Sequence, residues 1–163
     1  YSQIHGIQYV LLRYFNVAGD AGLNYIDPDA QNVMPIIMEA ATGKRDKFTI
    51  FGDDYDTKDG TGVRDYIDVN DLVQAHILAL DISKNETINL GTSTGVSVKE
   101  LVDITKEVTG KEFEVEIGKR RKGDPAKVVA SNEKAKEVLN WEPKIDIKEM
   151  IRTTYQACIN KNL

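Results

Sequence analysis

Three short segments hold side chains suited to recognising an anion. In Gly52-Asp53-Asp54-Tyr55-Asp56-Thr57-Lys58-Asp59-Gly60-Thr61-Gly62-Val63-Arg64-Asp65-Tyr66, a long polar loop leads to Arg64 at the entry of an apolar strand. A guanidinium there needs an anionic partner, and its planar fork matches phosphate or carboxylate. A bridge to Asp65 or Asp68 explains the spacing as well. The segment Lys119-Arg120-Arg121-Lys122-Gly123-Asp124-Pro125 sets four cations in a row. Their mutual repulsion is tolerable on a solvated face or against an anion. Gly123 and Pro125 restrict the backbone around Asp124, whose carboxylate only accepts hydrogen bonds and so suits a pair of sugar hydroxyls. The third candidate, Asn16, ends the apolar run that begins at Tyr9. Ligands of open parallel sheets sit beyond the carboxyl ends of strands, and an amide both donates and accepts. A simple strand-ending turn is the other reading.

Other chemistries find little support. The aspartates between Gly52 and Gly60 lack the spacing of a calcium-binding loop. His5, His76 and Cys158 form no grouping with metal-ligand spacing, and no serine sits in a nucleophile elbow. The net charge of −5 argues against a nucleic-acid surface. No apolar run is long enough to span a bilayer, and a lone cysteine fits a reducing cytoplasm. The chain opens Tyr1-Ser2-Gln3 without an initiator Met and drops quickly into an apolar strand, which reads as a segment of a longer protein.

The elements that must position these residues follow from periodicity. Tyr9 to Phe15 is a continuous apolar strand of the kind covered on both faces. Val33, Ile36, Ile37, Ala40 and Ala41 have helical spacing, with Asn32 at the N-cap, Pro35 in the first turn and Gly43 as the stop. Phe48–Phe51 and Val63–Val69 read as strands. Asn70 is placed to cap a helix whose apolar positions Leu72, Val73, Ala75, Ile77, Ala79 and Leu80 nearly surround it, predicting deep burial. Thr87–Leu90 is a strand. Ser97-Val98-Lys99-Glu100 has capping-box form, and Gly110 follows that helix. Phe113–Ile117 alternates as a half-exposed strand does. Two helices close the chain, one from about Asn132 to Leu139 and one capped by Asp146 with a stripe at Ile147, Met150, Ile151, Thr154 and Cys158. Trp141 is expected to pack these two together. With no repeat or linker, residues 1–163 read as one α/β domain.

Taken in order, Leu12-Arg13-Tyr14-Phe15-Asn16-Val17-Ala18-Gly19, Ile50 through Ile67, and Arg120-Arg121-Lys122-Gly123-Asp124-Pro125-Ala126 resemble the UDP-glucose 4-epimerase (UDP-galactose 4-epimerase) family of extended short-chain dehydrogenase/reductases. Arg-Tyr-Phe-Asn alone marks only the superfamily. The long connection before Arg64-Asp65 is more specific, being shorter in related dehydratases and decarboxylases. The resemblance covers essentially the whole chain. It implies the last parallel strands of a Rossmann-type fold plus the small substrate-binding domain, that is, a C-terminal UDP-sugar-binding portion. It also implies roles by position: Phe15 against the nicotinamide of NAD; Asn16, Asn32 and Val33 on the UDP-sugar; Thr49, Ile50 and Phe51 on the uracil, largely through the main chain. Arg64 and Arg121 would bind the diphosphate and Asp124 the ribose, with Tyr66 approaching the nucleotide and Val128 in the sugar pocket. Valine at 128 is of intermediate size, so N-acetylated UDP-sugars are expected beside UDP-glucose and UDP-galactose.

The family's Gly-rich dinucleotide fingerprint and its Tyr-x-x-x-Lys pair are absent from these 163 residues. The chain by itself is therefore expected neither to retain NAD nor to turn over UDP-sugars, its N-terminal NAD-binding portion being the missing partner. The free edge of the first strand is expected to favour association with further copies. The alternatives are a stand-alone UDP-sugar-binding module and part of a related nucleotide-sugar dehydratase or decarboxylase.

Overall fold

The structure is a computed structural model and describes residues 1–25 and 31–160. A single helical turn, α1 (Ser2–His5), precedes strands β1 (Val10–Tyr14) and β2 (Asn16–Ala18). Helix α2 (Val33–Ala41) and strand β3 (Lys47–Phe51) follow, then the long polar loop, β4 (Val63–Arg64), β5 (Tyr66–Asp68) and α3 (Val69–Ala79). Beyond these lie β6 (Glu86–Leu90), β7 (Val96–Ser97), α4 (Val98–Thr109), β8 (Glu114–Gly118), β9 (Lys127–Val128), α5 (Glu133–Leu139) and α6 (Ile147–Asn160).

Most pairings are parallel: β1 with β6, β2 with β5, β3 with β8, and β4 with β9; only β4 and β7 run antiparallel. The expected strand from Tyr9 to Phe15 is thus two strands. Pairing breaks at Phe15, and the chain changes partner from β6 to β5. The expected strand Val63–Val69 also divides, at Asp65, so that β4 joins the small three-stranded sheet while β5 pairs with β2. Successive side chains on a strand point to opposite faces. Accordingly Tyr66 enters the core between α2, α4 and α6, whereas Ile67 enters a second core formed with α3, α5 and β6.

The local signals are largely realised. Ser97 and Glu100 form the reciprocal capping box of α4, and Gly110 closes that helix in the left-handed conformation. Asp146 accepts the Glu149 amide at 2.9 Å, and Met150, Ile151 and Cys158 of α6 are buried. Four expectations need correction. The cap of α3 is Asp68, whose carboxylate accepts the Asn70 amide at 2.8 Å; Asn70 lies inside the first turn because the helix begins at Val69. That helix is not deeply buried all round: Val73, Ile77 and Leu80 are exposed, as no described element covers that side. Nor is β1 covered on both faces, since Leu11 and Tyr14 are each about half exposed. Trp141 packs with Ala135 and Leu139 of α5 against Leu72 of α3, rather than joining α5 to α6. Its indole N–H donates to the Asp71 carbonyl at 3.0 Å, a partner 70 residues away that local spacing does not reveal.

Candidate functional site

The polar loop owes its shape to short-range hydrogen bonds. The Tyr55 amide donates to the Gly60 carbonyl at 2.9 Å, and the Thr57 hydroxyl to the Thr61 carbonyl at 2.7 Å. Asp59 accepts from the Thr61 amide and hydroxyl through one oxygen and from the Ser97 hydroxyl through the other. The loop is thereby fastened to the N-terminus of α4. It delivers Arg64 to the edge of a cleft of about 220 Å³.

Opposite, a four-residue turn brings two site residues side by side. The Asp124 amide donates to the Arg121 carbonyl at 3.3 Å, and Gly123 supplies the positive φ of 86° between them. Arg64 donates to Asp124 Oδ1 at 3.1 Å and to its own neighbour's carbonyl, that of Val63, at 2.8 Å. Neither Asp65 nor Asp68 takes the role of its partner. The Arg121 guanidinium lies 3.8 Å from the centre of the Phe51 ring, a cation–π stack, and among the described residues it has no carboxylate partner. Arg120 stacks in the same way on Tyr55 at 3.9 Å. The cationic run is therefore partly ordered by aromatic faces. The cleft thus joins one guanidinium held beside a single carboxylate with a second that carries no countercharge among the described residues. Such a pair suits a ligand bearing more than one negative charge.

The cleft gathers Asn16, Asn32, Val33, Thr49, Ile50, Phe51, Arg64, Tyr66, Arg121 and Asp124 in its wall. Two residues named from the sequence stand outside it. Phe15 occupies the break between β1 and β2 and is half-buried next to Asn16. Val128 pairs with Arg64 across β9 and β4 but does not line the cleft. The strand-ending turn is not what Asn16 makes: it opens β2 in register with Tyr66, its side-chain amide donates to the Asp65 carbonyl at 3.0 Å, and the residue lines the cleft. Asn32 sits at the N-cap of α2 yet makes no side-chain capping bond, so its amide is not committed to the helix.

Sequence reasoning missed several residues. Ile36 and Phe48 add apolar wall, and Tyr55 projects from the loop into it; only the helical and strand periods around the first two could have pointed there. Tyr66 is almost fully buried, and its hydroxyl has no hydrogen-bond partner. Burial, partly opposed by the nearby Arg64 charge, pushes that hydroxyl far above the ordinary phenol range, so it stays protonated. Most hidden was Asp65. Fully buried, it accepts the Thr92 amide at 2.9 Å and hydroxyl at 2.5 Å through Oδ1, and the Ser93 and Ala130 amides at 3.1 and 3.0 Å through Oδ2. No short-range spacing announces that arrangement.

The chain has relatives among known proteins. Residues 1–154 match the GDP-mannose 4,6 dehydratase family. A UDP-glucose 4-epimerase from Lactobacillus helveticus is 46% identical, over 93% of this chain and 48% of its own length. The structure of a UDP-glucose 4-epimerase from Stenotrophomonas maltophilia, determined with bound NAD and formylated UDP-arabinopyranose, is 35% identical. It superposes with a TM-score of 0.92 over 99% of this chain and 51% of that one. A UDP-Glc/GlcNAc 4-epimerase from Campylobacter jejuni is 40% identical, with a TM-score of 0.82 over 98% and 51% of the respective chains. The α/β architecture with its parallel pairings agrees with the C-terminal half of such enzymes. The chain spans about half the length of the curated relatives it matches. This chain therefore belongs to the GDP-mannose 4,6 dehydratase family, and the relatives it is similar to are named UDP-glucose 4-epimerase.

Proposed function

We propose that residues 1–163 are the UDP-sugar-anchoring portion of a UDP-glucose 4-epimerase. One observation carries the reading: Arg64, from the end of the specific loop, and Arg121, from a turn 57 positions later, border one cleft together with Asp124, which is bonded to Arg64. In this reading the two guanidinium groups hold the diphosphate. Asp124 exchanges its bond with Arg64 for the ribose hydroxyls, and the Thr49–Phe51 main chain receives the uracil. Asn16, Asn32, Val33 and Tyr66 flank the path toward the sugar. Binding energy concentrated on the nucleotide leaves the sugar free to present either face, as inversion at C4 requires.

NAD would supply acceptance and return of a hydride at C4. The residues here fit the margin of such a cofactor only, with Phe15 in the strand break beside Asn16. The dinucleotide fingerprint and the proton-transferring pair belong, in this proposal, to a further portion corresponding to the rest of the relatives' length. The bare apolar side of β1 and α3 supports that, since Leu11, Tyr14, Val73 and Ile77 are costly to leave in water. The second edge of β1 also leaves room for association with another chain. N-acetylated UDP-sugars are included in the proposed range because the Campylobacter relative is a UDP-Glc/GlcNAc 4-epimerase. A cytoplasmic setting agrees with helices that are all too short or too polar to cross a membrane among the described residues.

Calorimetry tests the anchor directly. The chain should bind UDP more tightly than uridine, while showing no retained NAD and no interconversion of UDP-glucose and UDP-galactose. Equal affinity for UDP and uridine would remove the diphosphate site, and turnover by the pure chain would remove the division of labour.

A further inference from the structure

Among the described residues, the buried side-chain polar atoms without a hydrogen-bond partner are the hydroxyls of Tyr55 and Tyr66, and both residues line the cleft. The other buried side-chain polar atoms of the described residues have partners, even the full carboxylate of Asp65. A buried hydroxyl left unpaired costs stability, so two at one cleft mark a place arranged for something other than the folded chain. Tyr66 already has a role in the reading above; Tyr55 has none.

Tyr55 is also the means by which the loop after β3 reaches the ligand space. Of the residues from Gly52 to Gly62, only Tyr55 and Gly62 contribute to the cleft wall. Considerable local structure serves to seat that ring. Its amide is tied to the Gly60 carbonyl at 2.9 Å. Gly52 has a φ of 90°, and a Cβ there would lie 2.9 Å from the Tyr55 ring and 3.0 Å from Arg120 Cβ, so the ring packs where only glycine leaves room. Arg120 then closes over its face at 3.9 Å. The result is a rigid phenol, 5% exposed, adjoining the Phe51 end of β3 and ending in an oxygen that nothing in the described fold engages.

We propose that the Tyr55 hydroxyl is a recognition group for the nucleoside half of the bound nucleotide, supplying a directional hydrogen bond to its base or ribose. The inference rests on the UDP-anchoring reading above. Its ring packs against Gly52, the residue after Phe51 at the end of β3 that the reading above gives to the uracil, and this assigns the hydroxyl to the nucleoside and not the diphosphate. A phenol both donates and accepts, so it can meet a base carbonyl or a sugar hydroxyl. A nucleotide that fits its partner atom to that oxygen gains a bond for which the protein has already met the cost of burial.

The test is Tyr55→Phe, which keeps the ring, the Arg120 stack and the glycine-lined seat while deleting one oxygen. Titrations of the full chain with UMP, UDP and inorganic pyrophosphate should show UMP and UDP weakened by the same factor, roughly threefold to tenfold, with pyrophosphate unchanged. Thermal unfolding without ligand should be unaltered or slightly raised, because the deleted atom had no partner. Unchanged binding of all three ligands overturns the inference while leaving the diphosphate reading intact. So does an equal loss for pyrophosphate, or a drop in ligand-free melting temperature, which would make the hydroxyl structural. A wild-type chain that binds neither UDP nor pyrophosphate overturns the anchoring reading itself and this inference with it.

Discussion

Arg64 and Asp65 are adjacent in the chain, yet they belong to regions built on opposite terms. Behind β4, Asp65 sits at a hub where four donors from two segments, Thr92–Ser93 and Ala130, fill both carboxylate oxygens, and Gly91 leaves room for its approach: a Cβ there would lie 2.7 Å from Oδ2. In front of β4, the cleft holds a guanidinium shared with one carboxylate, another resting on an aromatic ring, and two unpaired hydroxyls. One region spends its polar groups on the fold; the other keeps them available. The contrast teaches that completeness of hydrogen bonding separates scaffold from site here better than burial does, because Asp65 and Tyr66 are equally hidden.

The largest effect expected from this contrast is at the hub. Asp65→Ala strands three backbone amides and a hydroxyl and should cost roughly 3 kcal/mol or more in urea unfolding; a loss below about 1 kcal/mol would erase the distinction. Next come the cleft cations. Arg121→Ala should weaken UDP about tenfold to a hundredfold, as charge-assisted bonds of about 1.5–3 kcal/mol imply, yet leave unfolding within about 0.5 kcal/mol of wild type. Arg64→Ala should act similarly on UDP. If either substitution lowered stability as much as Asp65→Ala, the cleft would be scaffold after all.

A smaller change probes the seam between the regions. Ser97 caps α4 and also donates to Asp59 of the loop. Ser97→Ala should cost about 1 kcal/mol and modestly weaken UDP, because the loop loses its tie to the helix; stability loss with wild-type affinity would show that the loop holds its shape unaided.

The smallest effect concerns pH. Hydrogen bonds from Lys47 and then Thr49 hold the Glu116 carboxyl below its ordinary range, across the β3–β8 pairing that borders the cleft. The folded form therefore binds fewer protons than the unfolded one in the acid range. The stabilisation is fully present above the unfolded carboxyl's pKa near 4.5 and fades as pH falls through the lower folded value. Glu116→Gln should flatten that acid limb slightly, in denaturant titrations from neutral to acid pH, without shifting UDP affinity at neutral pH.

Where a property lives within a few residues, the sequence determined it. Ser97 and Glu100 are three positions apart and cap one helix; Gly110 ends it; the stripe of α6 buries the face its period marks. The family resemblance carried by the quoted segments also pointed, by position, to ten residues that line one cleft. Only the tertiary structure decided the breaks at Phe15 and Asp65, the transfer of the α3 cap from Asn70 to Asp68, the outward face of α3 and the place of Val128. It also decided Trp141's partner and the isolation of the Tyr55 hydroxyl. The physical reason is range. Capping and periodicity act through neighbours on one helix or strand. Whether a carboxylate becomes a hub or a hydroxyl stays unpaired depends on atoms that folding brings from 27, 65 or 70 positions away.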